Sequence, residues 1–510
     1  MQISNLSDLI SYSSNKYENR PFIRKLDSKN FFSFFELEKL KNKMNDFLNS
    51  LKILKGDKIL VLMDNSPILV ILFLIIPGSF RIFVPLNPNA GLEEMKYIIK
   101  LTNPKILITN TIFSKRISKI KIKKIIIYDD NKFIKRILNS KKIKIKPKKF
   151  ITKNSIAQIL FTSGSTGNPK GVAISHENIV TNLKGLIERL KFRIKNPRFI
   201  SVTPLYHNNG QFIPTLCPLY LGGQTFSIPP AQSLNNFFEI IEKNRINYTS
   251  AMATHINYLN NFKKKRKIKN LKFICVGGAK LDEENHKIFE KKFSVRILCN
   301  YGLTETSSIA STESIEKKYT KVGSVGKPLF NNRVIIKRKS NKGFGEILIK
   351  GNNIFQKYYN NKLETKKKIK KNYLQTGDIG YFDKQGFLYI IDRIDSMINI
   401  SGENIYPSEI ERHTNNFKDI SLSIVLPISN KITQNSLVLI YENNNKKKIK
   451  IEDLKNFLSS RISKFKIPKY IFHVNDINIS EIPKAPNKKI LRNKIQNYFK
   501  DFVKKEQMLL

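Results

Sequence analysis

The run Leu160-Phe161-Thr162-Ser163-Gly164-Ser165-Thr166-Gly167-Asn168-Pro169-Lys170-Gly171 gathers small hydroxyl residues and glycines behind an apolar strand pattern, Ile156–Phe161. Glycines let backbone N–H groups approach phosphate oxygens, the Ser and Thr hydroxyls add donors, and Lys170 adds a point charge. Pro169 takes the place of the glycine that precedes the lysine of a Walker A loop, so a phosphate loop here is of another kind. The plain alternative is a flexible Ser/Gly turn.

Other groups are spaced for related chemistry. Asn300-Tyr301-Gly302-Leu303-Thr304-Glu305-Thr306 follows the strand pattern Ile297–Cys299, and open α/β sheets bind ligands at strand ends. There an aromatic can stack on adenine, a hydroxyl can bond an α-phosphate and a carboxylate suits Mg²⁺. Taken singly, Tyr301 reads as a core aromatic and Glu305 as a surface charge. Asp378, in Thr376-Gly377-Asp378, can accept two ribose hydroxyls or can be a turn residue after glycine. His207 lies in Pro204-Leu205-Tyr206-His207-Asn208-Asn209-Gly210; a lone histidine is more often a satisfied core or surface residue. The lysines of Pro483–Arg492 offer cations, or a solvated basic tail.

These groups need strands and helices to hold them. Phe34–Leu51 has helical periodicity, and Lys58–Met63, Ile82–Leu86 and Ile106–Thr109 are short apolar runs expected as buried strands. Residues 112–150 are rich in Lys and Ile and carry little information. Phe199–Thr203, Gln224–Ile228, Tyr248–Ala251, Phe273–Val276 and Ile297–Cys299 are strand candidates separated by helices such as Leu234–Asn244. Alternating strands and helices call for parallel sheets with right-handed crossovers. From Gly323 to Ile391 short strands (Arg333–Arg338, Glu346–Lys350, Phe387–Ile391) point to a mixed or antiparallel sheet. From about Ser396 a smaller region follows. It has a helix near Pro407–His413, a strand near Ser423–Pro427, a helix near Ile451–Ser463 and a basic tail.

The chain has 510 residues, 41% hydrophobic and 26% charged, which excludes a wholly disordered polymer. Its 91 Lys+Arg against 40 Asp+Glu give +51. Such a balance suits a polyanion partner, but the basic runs are scattered between apolar segments and Lys, Ile and Asn are abundant throughout. We read the charge as solvated surface from compositional drift, with no specific nucleic-acid partner. Cys217, Cys275 and Cys299 are expected to be buried, reduced thiols. Pro67–Pro77 falls well short of the ~20 residues of a membrane span and is expected to be a buried helix, so no integral membrane segment is expected. No signal-peptide pattern opens the sequence, and a cytoplasmic location is expected.

Taken in order, these motifs resemble the adenylate-forming (AMP-binding) superfamily, in its acyl/aryl-CoA synthetase branch. The segments are Thr162–Gly171, Pro204–Gly210, Gly277-Gly278-Ala279, Asn300–Thr306, Tyr373–Asp378, Arg393-Ile394-Asp395, Ser401–Glu411 and Pro483–Arg492. The resemblance covers nearly the whole chain. It implies an α/β fold: a large N-terminal adenylation domain, 1–393, of doubly wound α/β subdomains plus a distorted β-barrel subdomain. A small mobile α+β C-terminal lid domain, 394–510, completes it.

The same resemblance assigns site roles. Thr162, Ser163, Gly164, Ser165, Thr166, Gly167 and Lys170 form the phosphate loop. Gly278, Ala279, Asn300, Tyr301 and Gly302 complete the nucleotide site, with Asp378 on the ribose and Arg393 at ribose and phosphate. Thr304 reaches the α-phosphate and Glu305 holds Mg²⁺. His207, counted with Thr304 and Lys489 as catalytic, also lines the acyl pocket with Gln211, Gly277 and Gly278. Lys489 is the catalytic lysine, Asp395 the hinge, and Gly402, Glu403, Asn404 and Tyr406 the CoA face. Asp392, Lys357 and Phe80 stand where the family commonly has glycine.

The implied activity joins a small carboxylic acid to CoA with ATP and Mg²⁺ through an acyl-adenylate. One alternative delivers the acyl group to a carrier-protein phosphopantetheine. Another is a non-enzymatic nucleic-acid-binding or scaffold protein on the same fold. The polar segment Asn208, Asn209 and Gln211 suggests a hydroxy or dicarboxylic acid, or the same compositional drift.

Overall fold

The structure is a computed structural model. It describes residues 2–26, 28, 30–118, 120, 122, 124–128, 130–142, 152–162, 169–262, 267–316, 320–338, 343–394, 398–400, 403–430, 434–443, 448–462, 466–484 and 490–505. The chain divides into two compact units. One comprises Met1–Ile335, Leu348–Thr376 and Asp383–Tyr389; the other Ile336–Ile347, Gly377–Phe382 and Ile390–Leu510.

The first unit contains two large sheets. In the seven-stranded sheet the order is Lys357–Tyr358, Lys170–Ser175, Ile156–Thr162, Ile82–Leu86, Lys58–Leu62, Ile106–Asn110 and Ile125–Tyr128. The last five run parallel, and the first two pair antiparallel at one edge. The nine-stranded sheet has a parallel centre, Arg296–Tyr301, Phe273–Gly277, Tyr248–Met252, Arg198–Ser201, Gln224–Ser227 and Pro21–Arg24, with antiparallel strands at both edges. These central strands are covered on both faces, which is why they read as continuous apolar runs.

Helices supply the cover. Phe34–Ser50 starts at a reciprocal capping box between Ser33 and Glu36. Pro67–Gly78 is buried from Ile68 onward, so its uniform hydrophobicity belongs to a core helix. No helix among the described residues is long and apolar enough to cross a membrane. The helix ends at Gly78 with Ser79 as its C-cap, and Phe80 just beyond sits at φ 64. That positive φ suits glycine, the residue the resemblance leads one to expect at this place, and Phe80 carries the strain. All three cysteines are free and buried.

In the first unit, two stretches show how the structure departs from the sequence reading. The expected helix Leu234–Asn244 is two helices, Pro230–Asn235 and Phe237–Lys243, broken at Asn236. Asn side chains compete for nearby backbone groups, and the Asn236 amide donates to the Gln232 carbonyl at 3.3 Å. The low-information tract supplies the edge strand Ile125–Tyr128 and the helix Asp130–Leu138, whose Phe133 and Ile137 are buried.

A five-stranded sheet has the order Asn332–Arg338, Gly345–Gly351, Tyr373–Phe382 and Ile369–Lys370, with Leu388–Arg393 also on Tyr373–Phe382. The second unit carries a three-stranded sheet, Leu422–Asn430, Gln434–Glu442 and Tyr470–His473. Its strands alternate between two cores. Val425, Leu437 and Leu439 face the cluster with Ile410, Leu454 and Leu458, while Ile424, Leu426, Val438 and Ile440 face Ile495 and Phe499. Ile495 and Phe499 belong to the helix Arg492–Lys505. The expected basic tail is therefore an amphipathic element, its apolar stripe hidden in sequence by the lysines around it.

Candidate functional site

Two short turns at strand ends hold most of the predicted groups that lie among the described residues of the first unit. The strand Arg296–Tyr301 ends beside Phe273–Gly277, in register Val276↔Cys299. A Cβ on Gly277 would lie 2.1 Å from Asn300 Oδ1, so only glycine lets the Asn300 amide lie against the neighbouring strand. Gly278 and Ala279 follow as exposed residues. On the other side the chain turns at Gly302, where a Cβ would meet the Ser308 carbonyl oxygen at 1.8 Å. The turn is tied by Thr306, whose Oγ1 accepts from the Leu303 N–H and donates to the Ser308 carbonyl, each at 2.9 Å. It presents Thr304 half-buried and Glu305 buried, next to the half-buried Tyr301.

The stem of the predicted phosphate loop is an antiparallel pair, Ile156–Thr162 with Lys170–Ser175, in register up to Thr162↔Lys170. Ser163, Gly164, Ser165, Thr166 and Gly167 lie outside the described residues. Lys170 Nζ contacts Glu364 Oε2 at 2.5 Å and stands 5.6 Å from the Tyr358 ring centroid. The hydrogen bond from Lys170, then that from Lys367, holds the Glu364 carboxyl down at about 2. Sequence reasoning missed Glu364. Its signal was local: Asn361 caps the helix Lys362–Lys368 by accepting from the Glu364 N–H, an Asn-x-x-Glu capping pattern.

His207 occupies the N-cap position of the short helix Asn208–Gln211 without a side-chain capping bond, and the helix runs into a π-turn over Phe212–Leu216. Such turns are frequent at functional sites. The imidazole lies 4.5 Å from the Tyr206 ring, and burial pushes it down to about 4, so it is neutral at pH 7. Asn65, also missed in sequence, fixes this segment: its Oδ1 accepts from the Leu205 N–H and its Nδ2 donates to the Thr203 carbonyl. Gln211 is fully buried, donating to the Leu205 carbonyl and accepting from Gln158 Nε2. Asn208 is buried too, and neither polar atom of its amide has a hydrogen-bond partner among the described residues.

In the second unit Asp378 is buried in the strand Tyr373–Phe382 and accepts from Arg393 Nη1 at 3.1 Å. Asp392, one of the departures from glycine, accepts from the Arg393 and Ser408 N–H groups at 2.7 and 3.2 Å. It thereby places a carboxylate at the start of the helix Pro407–Asn415, where orphan N–H donors need acceptors. Tyr406 is buried beside Phe344. Glu403 and Asn404 lie in the strand Glu403–Ile405, paired with Ile398–Ile400. Asp395, Gly402 and Lys489 lie outside the described residues. On either side of the lysine segment, Lys484 and Ile490 form an antiparallel bridge. Arg492 is anchored on Glu411 at 2.5 Å and on the Val425 carbonyl at 3.2 Å.

Among the described residues no group of three or more His, Cys, Asp or Glu could hold a metal by itself. Glu305 fits Mg²⁺ in its other usual mode, one carboxylate plus substrate phosphates. Among the described residues, only its Oε1 is engaged, by the Tyr358 hydroxyl.

Comparison with known proteins gives concordant matches. A family model described as AMP-binding enzyme matches residues 10–359. A 2-succinylbenzoate–CoA ligase of a Geobacillus species is 28% identical over 348 residues, 67% of this chain and 69% of that protein. A 2-succinylbenzoate–CoA ligase of Bacillus cereus is 25% identical over 91% of this chain and 93% of its own length. The solved o-succinylbenzoate CoA synthetase of Bacillus subtilis, in complex with an acyl-adenylate intermediate, superposes with a TM-score of 0.84. It has 24% identity and covers 96% of this chain and 97% of its own, a likeness of fold.

Proposed function

Because the chain belongs to the AMP-binding enzyme family, we propose that it is an ATP-dependent carboxylic acid–CoA ligase working through an acyl-adenylate. The observation that carries this reading is the turn after Arg296–Tyr301. It sets a hydroxyl, Thr304, beside a buried carboxylate, Glu305, at the carboxyl end of a parallel strand.

A carboxylate oxygen of the acid attacks the α-phosphorus of ATP, an acyl–O–P bond forms, and pyrophosphate leaves. The CoA sulfur then attacks the acyl carbonyl, the C–S bond forms, the C–O bond breaks, and AMP leaves with the bridging oxygen. Neither step needs a protein nucleophile; both need fixed donors and cations where phosphate charge builds. Thr304 and Lys489 serve the α-phosphate, Tyr301 the adenine, and Asp378 with Arg393 the ribose. Mg²⁺, held by Glu305 and the phosphates, supplies charge neutralisation when bound. His207, neutral at pH 7, shapes the acyl pocket without adding charge. Lys489 serves only the first step; for the second, the residues beyond the hinge Asp395 bring the face Gly402–Tyr406 to CoA.

The buried Asn208 amide, without a partner among the described residues, favours an acid with a second polar group, since a buried amide left unsatisfied costs about 1–3 kcal/mol. Pyrophosphate release across aliphatic, aryl, hydroxy and dicarboxylic acids, 2-succinylbenzoate included, tests the reading. With CoA, sustained turnover is expected for an acid bearing a second polar group, with the matching CoA thioester as product. Turnover supported by a phosphopantetheinyl carrier protein and not by CoA would overturn the assignment of the acceptor.

A further inference from the structure

Glu305 emerges from its turn with one oxygen already held. The Tyr358 hydroxyl donates to Glu305 Oε1 at 2.6 Å, and both residues are buried. Tyr358 is itself fixed from several directions. Its backbone pairs with Val172, two residues along the strand that begins at Lys170. Its N–H donates to Thr365 Oγ1 at 3.0 Å, and its ring meets Phe355 edge-on at 4.9 Å. The Phe355 N–H in turn donates to the Glu305 main-chain carbonyl at 2.8 Å. One rigid aromatic therefore links the strand leaving the phosphate loop to the carboxylate that follows the nine-stranded sheet.

The chemistry gives this link a use. Mg²⁺ demands near-ideal octahedral geometry and is bound by few protein oxygens, so the direction of each oxygen matters. A carboxylate with both oxygens unheld can rotate; a donor on one oxygen fixes the plane in which the other is offered. We propose that Tyr358 is a positioning residue for the metal carboxylate, holding Glu305 Oε1 so that Oε2 faces the cation that arrives with ATP. The proposal rests on the reading of Glu305 as the metal carboxylate. The link joins segments 53 residues apart in sequence, and it also places Lys170 over the same ring. Metal carboxylate and phosphate-loop stem are thus steadied by one side chain.

Mn²⁺ titrated into the full-length protein with α,β-methylene-ATP, followed by electron paramagnetic resonance, tests this directly. Wild type is expected to bind Mn²⁺ in a nucleotide-dependent way. Tyr358→Phe, which keeps the ring and its packing, is expected to weaken Mn²⁺ roughly tenfold, with nucleotide affinity in EDTA and the melting temperature unchanged. Glu305→Gln is expected to lower the Mn²⁺ affinity of the protein–nucleotide complex to that of the nucleotide phosphates alone, and Tyr358→Phe added to it to change nothing further. Mn²⁺ affinity in Tyr358→Phe equal to wild type would overturn the positioning role alone. No nucleotide-dependent Mn²⁺ binding in wild type would overturn the reading of Glu305 on which it stands.

Discussion

Replacing Lys489 by Ala is expected to slow acyl-adenylate formation by roughly 10²–10³-fold, the usual cost of removing one preorganised group from a developing oxyanion. Thioester formation from supplied acyl-adenylate and CoA should persist, because the second step has no use for this cation. The register of the assignment rests on Pro483 and Arg492. Arg492 is held firmly by Glu411 and the Val425 carbonyl, and Leu491 donates its N–H to the Pro483 carbonyl. Lys488→Ala is the internal control and should leave the first half-reaction near wild type. A first half-reaction intact in Lys489→Ala but lost in Lys488→Ala would shift the assignment by one residue.

Asp378→Ala is expected to raise the Michaelis constant for ATP about tenfold or more without altering acid preference. Hydrogen bonds to a charged acceptor contribute ~1.5–3 kcal/mol, and the ribose hydroxyls would lose one. The buried carboxylate accepts from Arg393 in this structure. Arg393 is 42% exposed along its side chain, so water can satisfy it in the variant and the loss should fall on nucleotide binding rather than on folding. An unchanged ATP Michaelis constant would remove Asp378 from the site.

Much of this was legible in the sequence, for physical reasons that differ by element. Ile82–Leu86 is bounded as read, and Lys58–Leu62 ends one residue earlier, because fully buried strands are unbroken apolar runs between polar punctuation. The turn at Gly302 was legible as a motif, though only the structure gives the reason, the carbonyl of Ser308 where a Cβ would be. What stayed hidden depends on pairings far apart in sequence. Lys170 meets Glu364 across 194 residues, Glu305 meets Tyr358 across 53, and Asn65 holds Leu205 across 140. The cap at Asn361 marks the place of Glu364 in its helix, but no local pattern announces the partner of any of these residues. The helix Arg492–Lys505 escaped notice for another reason: in a chain this rich in lysine, a charged run does not distinguish a solvated tail from the wet face of a packed helix. The break at Asn236 shows the converse, two asparagines overriding an otherwise helical pattern.

In the proposed reaction an acid carboxylate attacks the α-phosphorus of ATP. Its most direct test uses acid labelled with ¹⁸O in both carboxylate oxygens, turned over with ATP and CoA, with mass spectrometry of the nucleotide and pyrophosphate. One ¹⁸O is expected in AMP, none in pyrophosphate, and one in the CoA thioester. Label in a phosphate or pyrophosphate product, with unlabelled nucleotide, would contradict it.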